Sequence, residues 1–218
     1  MCGRFAVTVP GAAIAQVFGV ADDLGHTPRY NVAPTQTVLA IRATHGVRAT
    51  FHARWGLAAP WPTAGRTGAP IVNARAESVA IKPYFRAAYQ RRRCLVPADG
   101  FYEWETRPDG KQPILFQLTG GAPFAIAGLW TDGEAGPTCA LLTTEANALV
   151  GRVHDRMPVL VAPAEWDRWL AAAPTPANGG SWFTPHPADA MRARPVSRAV
   201  NQVRTEGPQC QEPPRETP

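Results

Sequence analysis

Prolines and glycines punctuate this chain along its whole length, 23 and 19 of them in 218 residues. They confine regular structure to short runs separated by turns. Most apolar runs between them have strand character: Phe5–Val9, Thr37–Arg42, Thr50–Trp55, Cys94–Val96, Phe101–Glu105, Ile114–Leu118, Ala125–Trp130, Cys139–Thr143, Met157–Val161 and Met191–Val196. Helical patterns are few. Ala12–Phe18 and Ala164–Ala172 are short, and Pro83–Arg93 carries proline in its first turn with Phe85, Ala88 and Tyr89 on one face. The run Arg91–Arg93 falls at that helix's end, where cations oppose the dipole, and reads as a solvated terminus. Tyr30–Thr35 reads as an ordered loop and Pro60–Pro70 as a Pro/Gly-rich one. Strands outnumber helices and come in runs, which predicts an α+β fold built on curved, mainly antiparallel sheet. From Thr205 to Pro218 apolar residues almost vanish, which predicts a disordered tail.

The remaining composition bounds the chemistry. With 45% hydrophobic and 18% charged residues the chain can bury a core. It has no apolar run long enough for a membrane span, and Met1–Phe5 lacks the pattern of a secretory signal. A cytoplasmic setting with reduced thiols is therefore expected; a monomer is expected as well. The four cysteines, Cys2, Cys94, Cys139 and Cys210, show no metal-ligand spacing, so neither a metal nor a cofactor is expected. The net charge is +5, and only Lys82 and Lys111 among the 22 basic residues are lysines. Arginine excess suits phosphate binding, because the guanidinium fork matches phosphate oxygens, but a GC-rich coding sequence produces it equally well.

Cys2 is the most informative residue. Removal of Met1, which the small second residue permits, would expose a 1,2-aminothiol at the terminus. An α-amine titrates near ~7.7–8.0 against ~10.4 for lysine, so its neutral fraction at pH 7 is roughly a few hundredfold larger. Such an amine attacks an aldehyde to give a Schiff base, and the neighbouring thiol closes a thiazolidine that resists hydrolysis. An inert buried thiol is the plainer alternative.

Met1–Phe5 (MCGRF), Asn73–Glu77 (NARAE), Gly100–Trp104 (GFYEW) and Val153–Pro158 (VHDRMP) occur in this order along the chain. Together they resemble the SOS-response-associated peptidase family, whose members process abasic sites. The resemblance implies a single domain over residues 1–204, with barrel-like sheets flanked by short helices. It also implies covalent capture of abasic sites in single-stranded DNA, including sites at single-strand/double-strand junctions, with accompanying lyase and self-processing peptidase activity. The family's nucleophile maps onto Cys2, its asparagine onto Asn73, its glutamate onto Glu103 and its histidine onto His154.

The residue chemistry is compatible with those roles. Asn73 offers a donor and an acceptor, Glu103 lies in an aromatic stretch where burial raises a carboxyl pKa, and His154 exchanges protons near neutrality. Arg4, Arg75 and Arg156 each lie within two residues of a presumed site residue and are the phosphate candidates, with Arg86 behind them. Trp55 and Trp104, with Trp61 in the following loop, are candidates for stacking on bases. Trp130, Trp166 and Trp169 read as core or helix-face residues.

Two other readings compete. Class II glutamine amidotransferases also begin Met-Cys-Gly and use the Cys2 thiol as nucleophile, but their oxyanion-loop and Arg-Gly-Pro-Asp motifs are missing here. A non-enzymatic, arginine-rich nucleic-acid binder would leave Cys2 without a role.

Overall fold

Apolar runs separated by tight turns fold back on each other. β3 (Thr37–Thr44) and β4 (Val47–Trp55) pair antiparallel from Thr37↔Arg54 to Thr44↔Val47. His45 and Gly46 close that hairpin with φ of 51° and 78°, the left-handed geometry that matches the twist of paired strands. β9 (Phe124–Gly133) and β10 (Gly136–Glu145) form a second such hairpin. In this computed structural model, residues 2–58, 70–171 and 180–214 are described.

With β6 (Arg93–Ala98), these four strands close a ring, because β10 pairs with both β9 and β4 while β6 bridges β3 and β9. Three short strands extend the ring into an eight-stranded sheet. β5 (Asn73–Arg75) runs parallel to the far end of β10, β11 (Arg156–Pro158) pairs antiparallel with that same end, and β12 (Leu160–Val161) joins β9. A five-stranded sheet follows the spatial order β13 (Met191–Pro195), β8 (Gly110–Leu118), β7 (Gly100–Arg107), β1 (Phe5–Val7), β2 (Arg29–Val32). Short helices flank the sheets: α1 (Gly11–Phe18), α2 (Ala76–Val79), α3 (Pro83–Arg91) and α4 (Trp166–Leu170). The α+β, curved-sheet expectation holds. No helix among the described residues is long and apolar enough to cross a membrane.

The main core draws on both sheets and includes Phe5, Trp55, Leu95, Phe116, Leu141 and Trp169. A smaller cluster of Ala6, Tyr102, Leu115, Val196, Val200 and Cys210 covers the opposite face of the five-stranded sheet. This second cluster explains why residues 205–214 pack on the domain, where the sequence reading expected a disordered tail. Cys210 is fully buried, Glu206 pairs with Arg29, Thr205 O accepts from Asn31 Nδ2, and Gln211 Nε2 donates to Tyr102 Oη. Polar anchors and one thiol hold this strap, so no hydrophobic pattern announces it.

Two further expectations change. Tyr30–Thr35 is not all loop, because its first residues belong to β2. Arg93 is not solvated: it is buried, and its guanidinium donates to the carbonyls of Tyr89, Trp169 and Ala171. It ties α3 to α4 instead of ending a helix in water.

Candidate functional site

The two sheets meet where four residues far apart in sequence approach each other. Cys2, just ahead of β1, is buried, with Sγ 3.9 Å from Arg4 O. Its thiol is pushed well above its ordinary range, first by burial and next by the negative charge of Glu103. The sequence reading placed the aminothiol at an exposed terminus, so this burial is a difference.

Glu103 owes its place to strand alternation. Phe101 on β7 stacks on Phe116 in the core, with ring centroids 5.2 Å apart. Two residues later Glu103 occupies the same face at the rim and is only 3% exposed. Its carboxyl is pushed up to about 7, with burial the largest cause and Asp155 adding to it against the pull of the amino terminus. Glu105 is half-buried and pairs with Arg107.

The eight-stranded sheet supplies the other two residues. Asn73 begins β5, opposite Leu141 of β10. Its Nδ2 donates to Cys2 O at 2.8 Å, while its Oδ1 is buried without a hydrogen-bond partner among the described residues. His154 lies in the turn that precedes β11, and its backbone N–H donates to Val150 O. Nδ1 lies 3.0 Å from the Arg156 N–H and 2.9 Å from Asp155 Oδ1. One nitrogen cannot accept from the first and donate to the second. Burial lowers the imidazole pKa, which favours the neutral ring, with Nδ1 accepting from Arg156 and the proton on Nε2.

Beside these residues lies an open groove of about 850 Å³ lined by Arg75, Glu77, Lys82, Glu145, Asp155 and Arg156, among others. A smaller cavity of about 220 Å³, lined from β1, β2 and β3, contains none of the four site residues. No group of three or more His, Cys, Asp or Glu among the described residues is placed to hold a metal ion.

The candidate DNA contacts separate sharply. Arg75 is exposed at the groove, and Arg86 is exposed on α3. Arg156 lines the groove, but its fork is occupied by Glu77 at 2.6 and 3.0 Å. Arg4 is buried, donates from Nη1 to Asn31 Oδ1 and Val200 O, and lies 5.5 Å from the Trp104 ring centroid. It braces β1 instead of presenting a cation to solvent. Trp55 is a core residue, fully buried, with Nε1 donating to Val72 O. Trp104 is half-buried and donates to Asn201. Trp61 lies outside the described residues. Sequence reasoning missed Glu77, Thr143 and Asp155. Glu77 and Asp155 sat inside quoted motifs, whereas Thr143 had no signal beyond its strand.

A family model described as SOS response associated peptidase (SRAP) matches residues 1–203. The chain is 37% identical to the abasic site processing protein YoqW of Bacillus subtilis, covering 96% of this chain and 98% of that protein. It is 28% identical to the abasic site processing protein YedK of Escherichia coli, over 98% and 100% of the two chains. Among solved structures, a protein from Bacteroides thetaiotaomicron superposes with a TM-score of 0.84 at 21% identity, over 97% of this chain and 99% of that one, a likeness of fold. Motif order, fold and these matches agree: the chain belongs to the SOS response associated peptidase family.

Proposed function

We propose that this protein processes abasic sites in single-stranded DNA by capturing the ring-opened sugar covalently through Cys2, once Met1 has been removed. The observation that carries the reading is the meeting of Cys2, Asn73, Glu103 and His154 at the seam of the two sheets, with Asn73 bonded to the Cys2 carbonyl at 2.8 Å. The names of the relatives, which are abasic site processing proteins, point to the same substrate.

The chemistry follows from the environments. Burial and the neighbouring Glu103 disfavour the thiolate, so the amine begins the reaction. Its nitrogen bonds to the aldehyde carbon and gives a carbinolamine. Protonation of the carbinolamine hydroxyl lets it leave as water and yields the imine. A carboxyl held near neutrality suits Glu103 to that transfer, and the neutral imidazole of His154 offers a second proton-transfer group. The Cys2 thiol then adds to the imine carbon: the C–S bond forms, the thiol proton passes to nitrogen, and the thiazolidine closes. The unpartnered Asn73 Oδ1 is an acceptor that can hold the amine or a sugar hydroxyl in place. The amidohydrolase reading lacks its oxyanion-loop and Arg-Gly-Pro-Asp motifs in this sequence.

Incubating the mature protein with an abasic single strand should give a species that survives denaturing electrophoresis, and its intact mass should equal protein lacking Met1 plus DNA minus water. Glutamine hydrolysis without any such species would overturn the reading.

A further inference from the structure

The groove beside the site is not a plain cationic funnel. Its lining carries three cations, Arg75, Lys82 and Arg156, against three acids, Glu77, Glu145 and Asp155. One of these acids is placed with particular care. Glu77 Oε1 and Oε2 accept from Nη1 and Nη2 of Arg156, a fork-to-fork pair of the kind that a phosphate also makes.

Two atoms of the guanidinium also face inward. Nη2 also donates to Thr143 O at 2.6 Å, and Nε is buried. The two partners differ in freedom. The Arg156 side chain is 11% exposed and held from behind by β10, whereas the Glu77 side chain is 49% exposed on the single turn of α2. Burial opposes ionisation of Glu77, but its bonds to Arg156 and to its own backbone N–H outweigh this and hold its carboxyl below the usual range. A half-exposed carboxylate thus occupies the fork of a largely buried cation that β10 holds from behind.

We infer that Glu77 is a specificity-determining residue: its carboxylate holds the Arg156 fork in the place of a backbone phosphate, and a strand gains Arg156 only by displacing it. This rests on the proposed capture of single-stranded DNA. Its consequence is weak retention of intact strands. An undamaged strand must displace Glu77 for one phosphate contact and gains nothing further, whereas an abasic strand is then fixed by the covalent step.

The test uses the whole protein and an undamaged single-stranded oligonucleotide, with affinity measured against salt and folding checked by melting temperature. Glu77→Gln should bind severalfold more tightly, with a log–log salt slope about 0.7 steeper, the increment for one added phosphate contact on a single strand. Glu77→Asp keeps the charge but shortens the reach, so it should also steepen the slope, by less. Glu145→Gln removes a groove charge that pairs with no arginine among the described residues; it should tighten binding only weakly and leave the slope unchanged. In an Arg156→Gln background the gain from Glu77→Gln should disappear, because the two residues act as one unit.

Unchanged or weaker binding by folded Glu77→Gln and Glu77→Asp would overturn the inference. So would a gain that persists in the Arg156→Gln background, or an equal one from Glu145→Gln, since either would mean long-range charge alone. Wild-type protein that neither binds the single strand nor captures an abasic one would overturn the proposed function and this inference together. Normal wild-type binding and capture with an indifferent Glu77 would overturn this inference alone.

Discussion

The two sheets contribute unlike halves of the candidate site. From the five-stranded sheet come Cys2 and Glu103, both buried, and both held by their surroundings away from their ordinary titration ranges. From the edge of the eight-stranded sheet come Asn73, Arg75, His154 and Arg156, placed on either side of the end of β10 and all at least partly accessible. Burial tunes acidity because the charged form loses water, so the proposed nucleophile and its carboxyl partner belong in the sheet interior. Phosphates stay hydrated and mobile, so groups that meet them belong at an edge. The seam lets a single site hold both kinds of group.

The division is most severely tested at the nucleophile. Inserting one residue between Met1 and Cys2 keeps the thiol but separates it from the α-amine. The stable adduct should then vanish completely. Cys2→Ala should instead leave an imine that borohydride traps and that favours strand cleavage by β-elimination. Wild-type crosslinking by the insertion variant would place the chemistry on the thiol alone and remove the aminothiol from the buried half.

Glu103→Gln should slow capture by about 10²–10⁴-fold, the usual contribution of a general acid–base group, with little change in DNA affinity. If Glu103 acts as the acid, the wild-type rate falls as pH rises through about 7, and the Gln variant lacks that limb. The same residue yields a stability test. Its folded-state pKa is raised, so the stability linked to its protonated form is fully present below the unfolded value and is lost as pH rises through about 7. Between pH 5 and 8 the wild type should lose up to about 3 kcal/mol that Glu103→Gln retains. A melting-temperature difference that stays flat over this range would show that burial does not tune the carboxyl.

The two halves were not equally legible in the sequence. Strand runs pointed to the α+β fold, and the quoted motifs contain the four candidate site residues. Alternation alone suffices to turn Glu103 to the same face as Phe101. What local pattern cannot supply is where a long side chain goes. Proximity to site residues made Arg4, Arg75 and Arg156 look equivalent, yet one is buried, one exposed and one ion-paired. Trp55 lies beside a turn in sequence but points into the core, 5.3 Å from the Phe5 ring. The strap after Thr205 was invisible for a related reason: its contacts are long-range hydrogen bonds to Asn31, Arg194 and Tyr102, which no periodicity encodes.

That strap covers the outer face of the buried half, and its removal should be felt as stability. Truncation after Arg204 strips Cys210 from the small cluster and removes partners of Arg29, Asn31 and Tyr102. We expect a loss of about 2–4 kcal/mol, from lost burial and orphaned polar groups. An unchanged urea midpoint would mean that the cluster closes without the strap.

The smallest expected effect separates the halves within a single residue type. Arg75 is exposed on β5, two residues beyond Asn73 and opposite Thr143, so a phosphate can reach it without displacing a buried partner. Arg75→Ala should weaken binding to an intact single strand and make the salt slope shallower by about 0.7, with the melting temperature nearly unchanged. Arg4→Ala should do the reverse. Its guanidinium bonds Asn31 and Val200 inside the protein, so its loss leaves buried acceptors unmet, at about 1–3 kcal/mol, while the salt slope keeps its wild-type value. Both outcomes can be read from one pair of titrations and one pair of melts. If Arg4→Ala flattens the slope while Arg75→Ala does not, the phosphates run over the five-stranded sheet, and binding and chemistry share the same half.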